Sequence, residues 1–330
     1  MADKWEKVFI KTKVGIVDGV APVIISASRS TDIPAFYSDW FMNRLSEGYV
    51  KWVNPFNSRP QYISFEKARV IVFWTKDAEP IVPYLEELDK RGINYYFSYT
   101  VNDYGHEGFE PGVRSLENRA DTFRRLSEAI GRDRVIWRFD PLVLTDMIDV
   151  DRLLDKVYNV GRLIAGYTKK LVLSFADISS YAKVSRNLLN MGINVREFTP
   201  ETMDAAARGL NEMNKSWGLE LATCCEEIDL SRYNIKKNKC IDDDLMIGLF
   251  SQDKELMGFL GFDSKTGKSS KHLKDRGQRQ NCGCVASKDI GRYDTCDHRC
   301  VYCYANSSPG TAHGNYLRYL ASDRYGETIV

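Results

Sequence analysis

No apolar run in this 330-residue chain approaches the roughly 18 residues needed to span a bilayer. The opening stretch MADKWEKVFIKTKVG carries charges where a signal peptide has an apolar centre. Both absences lead us to expect a cytoplasmic protein with no membrane partner. A surplus of one charge is also missing, since 46 Lys and Arg stand against 45 Asp and Glu for a net charge of +1. A protein whose main task is gripping a long polyanion usually carries a basic excess, so only a local basic groove stays open. The first predicted strand lacks the Gly-rich turn of a dinucleotide-binding sheet. The most informative absence is cysteine. None occurs in the first 223 residues, and five of the eight (Cys282, Cys284, Cys296, Cys300 and Cys303) fall within 22 positions. Cytosolic thiols stay reduced, so such a cluster points to metal or redox chemistry rather than to disulfides. A role as small buried hydrophobes suits Cys224, Cys225 or Cys240 taken singly. It does not suit five cysteines set among Gly, Lys, Asp and Arg.

What is present is enough for a sizeable core: 43% of residues are hydrophobic and 28% charged, in a chain the size of one large domain or one domain with an appendage. Short β-branched and aromatic runs predict strands at Val23–Ala27, Val70–Thr75, Tyr95–Val101, Arg134–Phe139, Leu171–Phe175 and Leu219–Thr223. Several are nearly continuous apolar runs, as in a parallel sheet covered by helices. Helices are predicted at Pro80–Lys90, Leu116–Ile130, Asp151–Ala165 and Thr202–Trp217, the last with Thr199 as N-cap and Pro200 in the first turn. This alternation implies repeated right-handed βαβ units. The expected fold is α/β, a complete or partial TIM-type barrel, with an open doubly wound sheet as the alternative. We divide the chain into a β/α barrel over 1–230 and a cysteine-rich segment over 231–330 that completes it.

Each predicted strand is followed by polar residues: Ser28–Asp32, Lys76–Asp77, Asn102–Glu107, Asp140, Asp177, and Cys224–Glu227. Any one of these groups is more often a loop residue or helix cap. In a barrel they converge on one rim, where the active sites of such folds sit. Convergence says enzyme without naming a reaction.

The segment Cys296-Asp-His-Arg-Cys300-Val-Tyr-Cys303 has the spacing Cys-x3-Cys-x2-Cys. Three close thiolates fit three corners of a 4Fe-4S cubane and leave one iron for an exogenous ligand. A structural zinc wants four ligands, usually in two short-spaced pairs, and His298 sits inside the loop where a cluster must fold. Cys296, Cys300, Tyr302 and Cys303 resemble the cluster loop of the radical S-adenosylmethionine superfamily. Tyr302-Cys303-Tyr304-Ala305 is similar to the spore-photoproduct-lyase-like branch, the DNA repair photolyase-like proteins. Thr31-Asp32-Ile33-Pro34, Thr75-Lys76, Ser98–Asp103, Glu110-Pro111, Arg119 and Asp140-Pro141 resemble that branch in order. The superfamily carries its cysteine loop after the first barrel strand, whereas here it lies near the C-terminus, as a circular permutation would place it. SASRSTDIPAFYSDW, VFWTKDAEP, RVIWRFDP and CGCVASKDIGRYDTC also resemble an uncharacterised bacterial family of unknown function, over nearly the whole chain.

The resemblance implies S-adenosylmethionine bound at the open iron and cleaved reductively to a 5′-deoxyadenosyl radical, with a reductant such as ferredoxin or flavodoxin as partner. It places Thr31, Asp32 and Pro34 at the methionyl end of the cofactor. Tyr302, Thr75, Lys76 and Asn102 are further cofactor or rim candidates. Arg138 and Asp140 are read as an ion pair orienting substrate or serving structure alone, Lys76 as a carboxylate or phosphate ligand or a solvated lysine, and His106 as a proton-transfer group. Of the remaining cysteines, alternation on a strand sends Cys224 to the interior and Cys225 to the helix side. Cys224, Cys240, Cys282 and Cys284 are therefore the expected ligands of an auxiliary 4Fe-4S cluster, with Cys225 as substitute for Cys224 and structural zinc as the rival metal. The basic stretch Lys265, Lys268, Lys271, Lys274, Arg276 and Arg279 reads as a solvated loop or a clamp on a nucleic-acid backbone. Three functions thus compete: a radical enzyme of unknown substrate, an iron–sulfur electron carrier or redox sensor, and a zinc-stapled nucleic-acid-binding protein.

Overall fold

The computed structural model describes residues 5–263, 265–269 and 273–330. Its centre is one sheet of eight strands, all parallel. In chain order these are β1 (Ile24–Ala27), β2 (Val70–Thr75), β3 (Asn94–Thr100), β4 (Val135–Leu142), β5 (Lys170–Phe175), β6 (Glu220–Thr223), β7 (Ile235–Lys237) and β8 (Lys288–Asp289). Their spatial order is β7-β6-β5-β4-β3-β2-β1-β8. The six strands expected from apolar runs are all present within a few residues of their predicted ends. The last strand of the chain lies beside the first, with Lys288 opposite Ile25 and Asp289 opposite Ser26. The cysteine loop that follows β8 is thereby delivered to the end of the sheet next to β1.

A closed barrel is not what forms. β7 and β8 are the two edges and do not pair with one another. The alternating residues of the strands explain this. Ile25, Ile71, Phe73, Phe97, Trp137 and Leu173 belong to the main core with the helices Leu116–Ile130, Val150–Ile164 and Pro200–Asn214. Ile24, Val70, Val72, Tyr96, Ile136 and Val172 face the other way and pack with Ile241, Met246, Phe250, Leu256, Met257 and Leu260. Those partners come from Asp243–Phe250 and Lys254–Leu260, two short helices seated on this face. An eight-stranded barrel has interior room for little more than its own side chains, so a face that accommodates two helices stays open.

The helices follow local chemistry. Thr199 caps Pro200–Asn214 in a capping box closed by Thr202. The predicted helix at Pro80–Lys90 divides into a 3-10 segment at Glu79–Tyr84 and an α-helix at Leu85–Lys90, because Pro83 has no N–H for an α-helical bond. A second sheet of four strands (Glu6–Thr12, Gly15–Ala21, Pro60–Ser64 and Tyr49–Val53, in that spatial order) was not anticipated. No helix among the described residues is long and apolar enough to cross a membrane.

Candidate active site

Because the eight strands run the same way, their C-terminal ends open along one edge of the sheet, and a cavity of about 470 Å³ lies there. All eight cysteines line it. Ser28–Asp32 arrive from the end of β1, Trp74–Lys76 from β2, Arg138 and Asp140 from β4, Ser174–Ile178 from β5 and Cys224–Glu226 from β6.

The cysteine loop is fixed from three sides. Asp289, just ahead of it, accepts from the Ser26 and Ser28 hydroxyls at 2.9 and 2.6 Å and from the Arg29 N–H at 2.8 Å. The Tyr37 hydroxyl donates to the Thr295 carbonyl at 2.6 Å. Opposite, the segment after β3 straps the loop by two backbone bonds, Gly112 N–H to His298 O and Val301 N–H to Phe109 O, each 3.0 Å. His298 is tied at both ring nitrogens. Nε2 lies 2.7 Å from Asp32 Oδ2 and Nδ1 lies 3.3 Å from Gly112 O. Asp32 in turn accepts the N–H of Ala35 at 2.9 Å and of Lys76 at 2.6 Å.

The strap permits no side chain at Gly112. A Cβ there would sit 2.2 Å from Asp297 O and 2.9 Å from His298 Cα, whereas one at Gly105 of the same loop meets nothing within 4 Å. Gly112→Ala is therefore expected to lower stability by about 1–3 kcal/mol and to impair metal loading. Gly105→Ala serves as the control, with melting temperature and bound metal as the readouts. Equal behaviour of the two variants would show the strap to be dispensable.

Behind the loop, Tyr302 enters a buried polar network. Lys76 Nζ donates to Glu110 Oε1 at 2.7 Å and to the Tyr302 hydroxyl at 3.1 Å. The Tyr302 hydroxyl itself donates to Glu110. Asn102 Nδ2 reaches Glu110 Oε1 at 2.9 Å, and its Oδ1 accepts the Asp140 N–H at 2.9 Å. Arg119 Nη1 lies 3.7 Å from Glu110 Oε2. Burial alone would push the Glu110 carboxyl up, but Lys76 and then Arg119 bring it down to about 2. Lys76 is raised, the pull of burial being outweighed by Glu110.

Several expected roles are revised by these positions. Lys76 lines the cavity, but its ammonium is committed to Glu110, so it is neither solvated nor free to bind a phosphate. Asn102 is fully buried and, like Pro34, is not among the lining residues; it organises the network, while Pro34 sits inside the short helix Ile33–Phe36. His106 is exposed on its loop and does not line the cavity, because Phe109, Glu110 and Gly112 are the residues of that loop turned inward. Thr31, Asp32, Thr75 and Tyr302 do line it. Arg138 and Asp140 form the expected ion pair, with Nε to Oδ2 at 3.1 Å, and the Ser174 hydroxyl donates to the other Asp140 oxygen. Arg279, from the basic stretch, lies at the cavity and donates to the Tyr181 hydroxyl. Lys271 falls outside the described residues.

The other five cysteines gather across the cavity. Cys224 and Cys240 bring their sulfurs to 3.3 Å. The N–H groups of Cys240 and Ile241 donate to Cys284 Sγ at 3.2 and 3.3 Å. Cys225 was expected on the helix side of its strand. Instead it has φ of 62°, which ends the strand alternation at Cys224 and turns Cys225 toward the cavity beside Cys282. No simple sequence signal marks that turn, since left-handed backbone at a non-glycine is uncommon.

Burial is the main force pushing the thiols of Cys296, Cys300 and Cys303 up. Three thiolates gathered on one loop, with Cys300 buried and Cys296 and Cys303 half-buried, need cationic charge, and the neighbouring cation Lys76 is spent on Glu110. A metal centre is the kind of partner that supplies it. A single tetrahedral zinc would draw its sulfurs to about 3.8 Å of one another, from a Zn–S bond of about 2.3 Å. Among the described residues, the one trio of Cys, His, Asp or Glu donor atoms mutually within 4.8 Å is Asp242, Asp243 and Asp244, none of which lines the cavity. Cys296, Cys300 and Cys303 form no trio that tight, as the corners of a larger centre require, whereas in the second set Cys224 and Cys240 stand closer, at 3.3 Å.

A parallel α/β sheet with a cysteine-lined cavity at its C-terminal edge defines the class. The chain belongs to the DUF1848 family, a domain of unknown function, whose profile matches residues 24–305. No curated protein matches it. Among solved structures, one match is a candidate alpha-L-fucosidase from Bacteroides thetaiotaomicron VPI-5482, 9% identical over 78% of this chain and 85% of that chain, at a TM-score of 0.27. So low a score carries no statement about this protein's activity.

Proposed function

We propose that this chain is a radical S-adenosylmethionine-type enzyme resembling a circularly permuted member of the spore-photoproduct-lyase-like branch, acting on a substrate held in the cavity. One observation carries the reading: Cys296, Cys300 and Cys303 face the cavity from one strapped loop, with sulfurs spread wider than a lone ion would hold them. A 4Fe-4S cluster fits this donor set. His298, the natural fourth ligand in the loop, has Nε2 on Asp32 and Nδ1 on Gly112, which favours a corner left for an exogenous ligand. When bound, a cluster reduced by one electron from the partner reductant would, with S-adenosylmethionine, supply a carbon radical able to abstract hydrogen.

The chain's own residues do the rest. Cys296, Cys300 and Cys303 hold the cluster, and the Asp289 and Gly112 contacts keep their loop in place. Thr31, with a buried hydroxyl lacking a protein partner, is a ready contact for the cofactor's polar end. Asp32 orients His298 and the backbone of Lys76. Trp74, Phe175, Ile178 and Tyr181 give the cavity apolar walls that limit water around a reactive species.

Anaerobic reconstitution followed by dithionite and S-adenosylmethionine tests the reading, with 5′-deoxyadenosine as the expected product. Absence of both the product and cofactor binding rejects it. The second cysteine set supports a rival, an iron–sulfur electron carrier without radical chemistry. That reading predicts a paramagnetic resonance spectrum indifferent to S-adenosylmethionine. A colourless protein with stoichiometric zinc would favour the zinc-stapled alternative instead.

A further inference from the structure

The second cysteine set is surrounded by nitrogen donors in a way the first is not. Arg138 Nη1 and Asn238 Nδ2 both donate to Cys240 Sγ, each at 3.1 Å, and backbone N–H groups serve Cys284. Asp140 occupies the Nε and Nη2 edge of Arg138, which leaves Nη1 for the sulfur. Arg29 brings a second guanidinium to the cavity that Cys284 and Cys240 line. The two arginines lie over the ring of the same tryptophan, Trp74, at 5.5 and 5.3 Å. Nη2 of Arg29 is buried without a hydrogen-bond partner. A buried charged donor left unpaired is costly, so an acceptor on the sulfur side suits it. The first set sits on its own strapped loop. Its nearby ammonium, Lys76, donates to Glu110 and Tyr302 instead.

Charged hydrogen-bond donors aimed at the sulfurs of an iron–sulfur centre stabilise the added electron and raise its reduction potential. We infer that Arg138 and Arg29 are positioning residues that make the second cysteine set the higher-potential member of a pair of centres, so that an electron entering the protein resides there first. The inference rests on reading both sets as iron–sulfur centres. It assigns neither arginine to substrate, and it makes the second set an electron store beside the site of cofactor cleavage.

The test is a potentiometric titration followed by paramagnetic resonance on the reconstituted full chain, with iron counted in every sample. Wild type is expected to hold about eight irons, as two 4Fe-4S clusters do, and to show two signals. The signal appearing at higher potential should be the one lost in Cys240→Ala. Arg138→Met and Arg29→Met should each weaken its reduction equilibrium at least about tenfold, which is 59 mV for one electron, and leave the other signal in place. Arg138→Lys should recover part of the shift. Asn238→Ala, which removes a neutral donor, should shift the same signal less, and it keeps the test open where an arginine variant loads poorly. Iron-replete variants with unmoved potentials, equal shifts in both signals, or a first set that is reduced before the second would overturn the inference alone. Wild-type protein with about four irons, or with zinc, would overturn the reading of the second set and the inference with it.

Discussion

Replacing Cys300 with alanine is expected to abolish reductive cleavage of S-adenosylmethionine and to lower bound iron from about eight to about four per chain. Cys300 is buried, and the ligand-type side chains described around its loop are engaged elsewhere. Cys296 and Cys303 belong to the same set, His298 is held by Asp32 and Gly112, and Lys76 is an ammonium paired with Glu110. A centre held by two of three sulfurs in so closed a loop has no route to a substitute ligand. The second set stands across the cavity on other segments, so its resonance signal should persist in Cys300→Ala. Iron counting, resonance spectra and chromatography of the cleavage product read the three effects separately. A Cys300→Ala protein that keeps eight irons and still forms 5′-deoxyadenosine would remove this loop from the chemistry.

The six long strands were legible because each buries both faces. Runs such as Val70–Thr75 are apolar at nearly every position, and a parallel sheet between two packed layers demands that. The N-cap at Thr199 was legible for a local reason, since cap, proline and acidic residue stand in consecutive positions. Openness of the sheet was not legible. It depends on Met246, Phe250, Leu256 and Leu260 choosing the sheet's second face, and a helical apolar pattern does not say which surface it covers. β7 and β8 were missed as well. Ile235–Lys237 and Lys288–Asp289 are short and partly polar, and they are strands only because a longer neighbour offers its edge.

The site divides in the same way. Cysteine spacing identified the loop, and polar strand ends identified the rim, because both signals are local. What holds the loop is long-range: Asp289 to Ser28, Gly112 to His298, Glu110 to Lys76 and Tyr302. His106 was the more conspicuous chemical group on its loop, yet it is exposed, while Glu110 four residues on is buried at the hub. A titratable side chain draws attention by type, but burial among charged partners is what gives it a role.

Glu110→Gln is expected to cost about 3–5 kcal/mol of stability, the range for breaking a buried ion pair from one side. The substitution leaves Lys76 and Arg119 facing one another across a neutral amide. Lys76→Met should be milder, since Arg119 still balances Glu110. The double variant Lys76→Met with Glu110→Gln should be more stable than the sum of the two losses, because each change removes the penalty left by the other. The acid dependence has a definite sign. The folded Glu110 carboxyl, at about 2, lies below its usual 4.5, so its stabilising contribution is complete above pH 4.5 and is lost as the pH falls through 2. The gap between wild type and Glu110→Gln should therefore be widest near neutrality and narrow progressively in acid. Chemical unfolding at a series of pH values measures it. A gap that holds constant down to pH 2, or a double variant whose losses simply add, would mean that Glu110 is not the carboxylate neutralising this buried pair of cations.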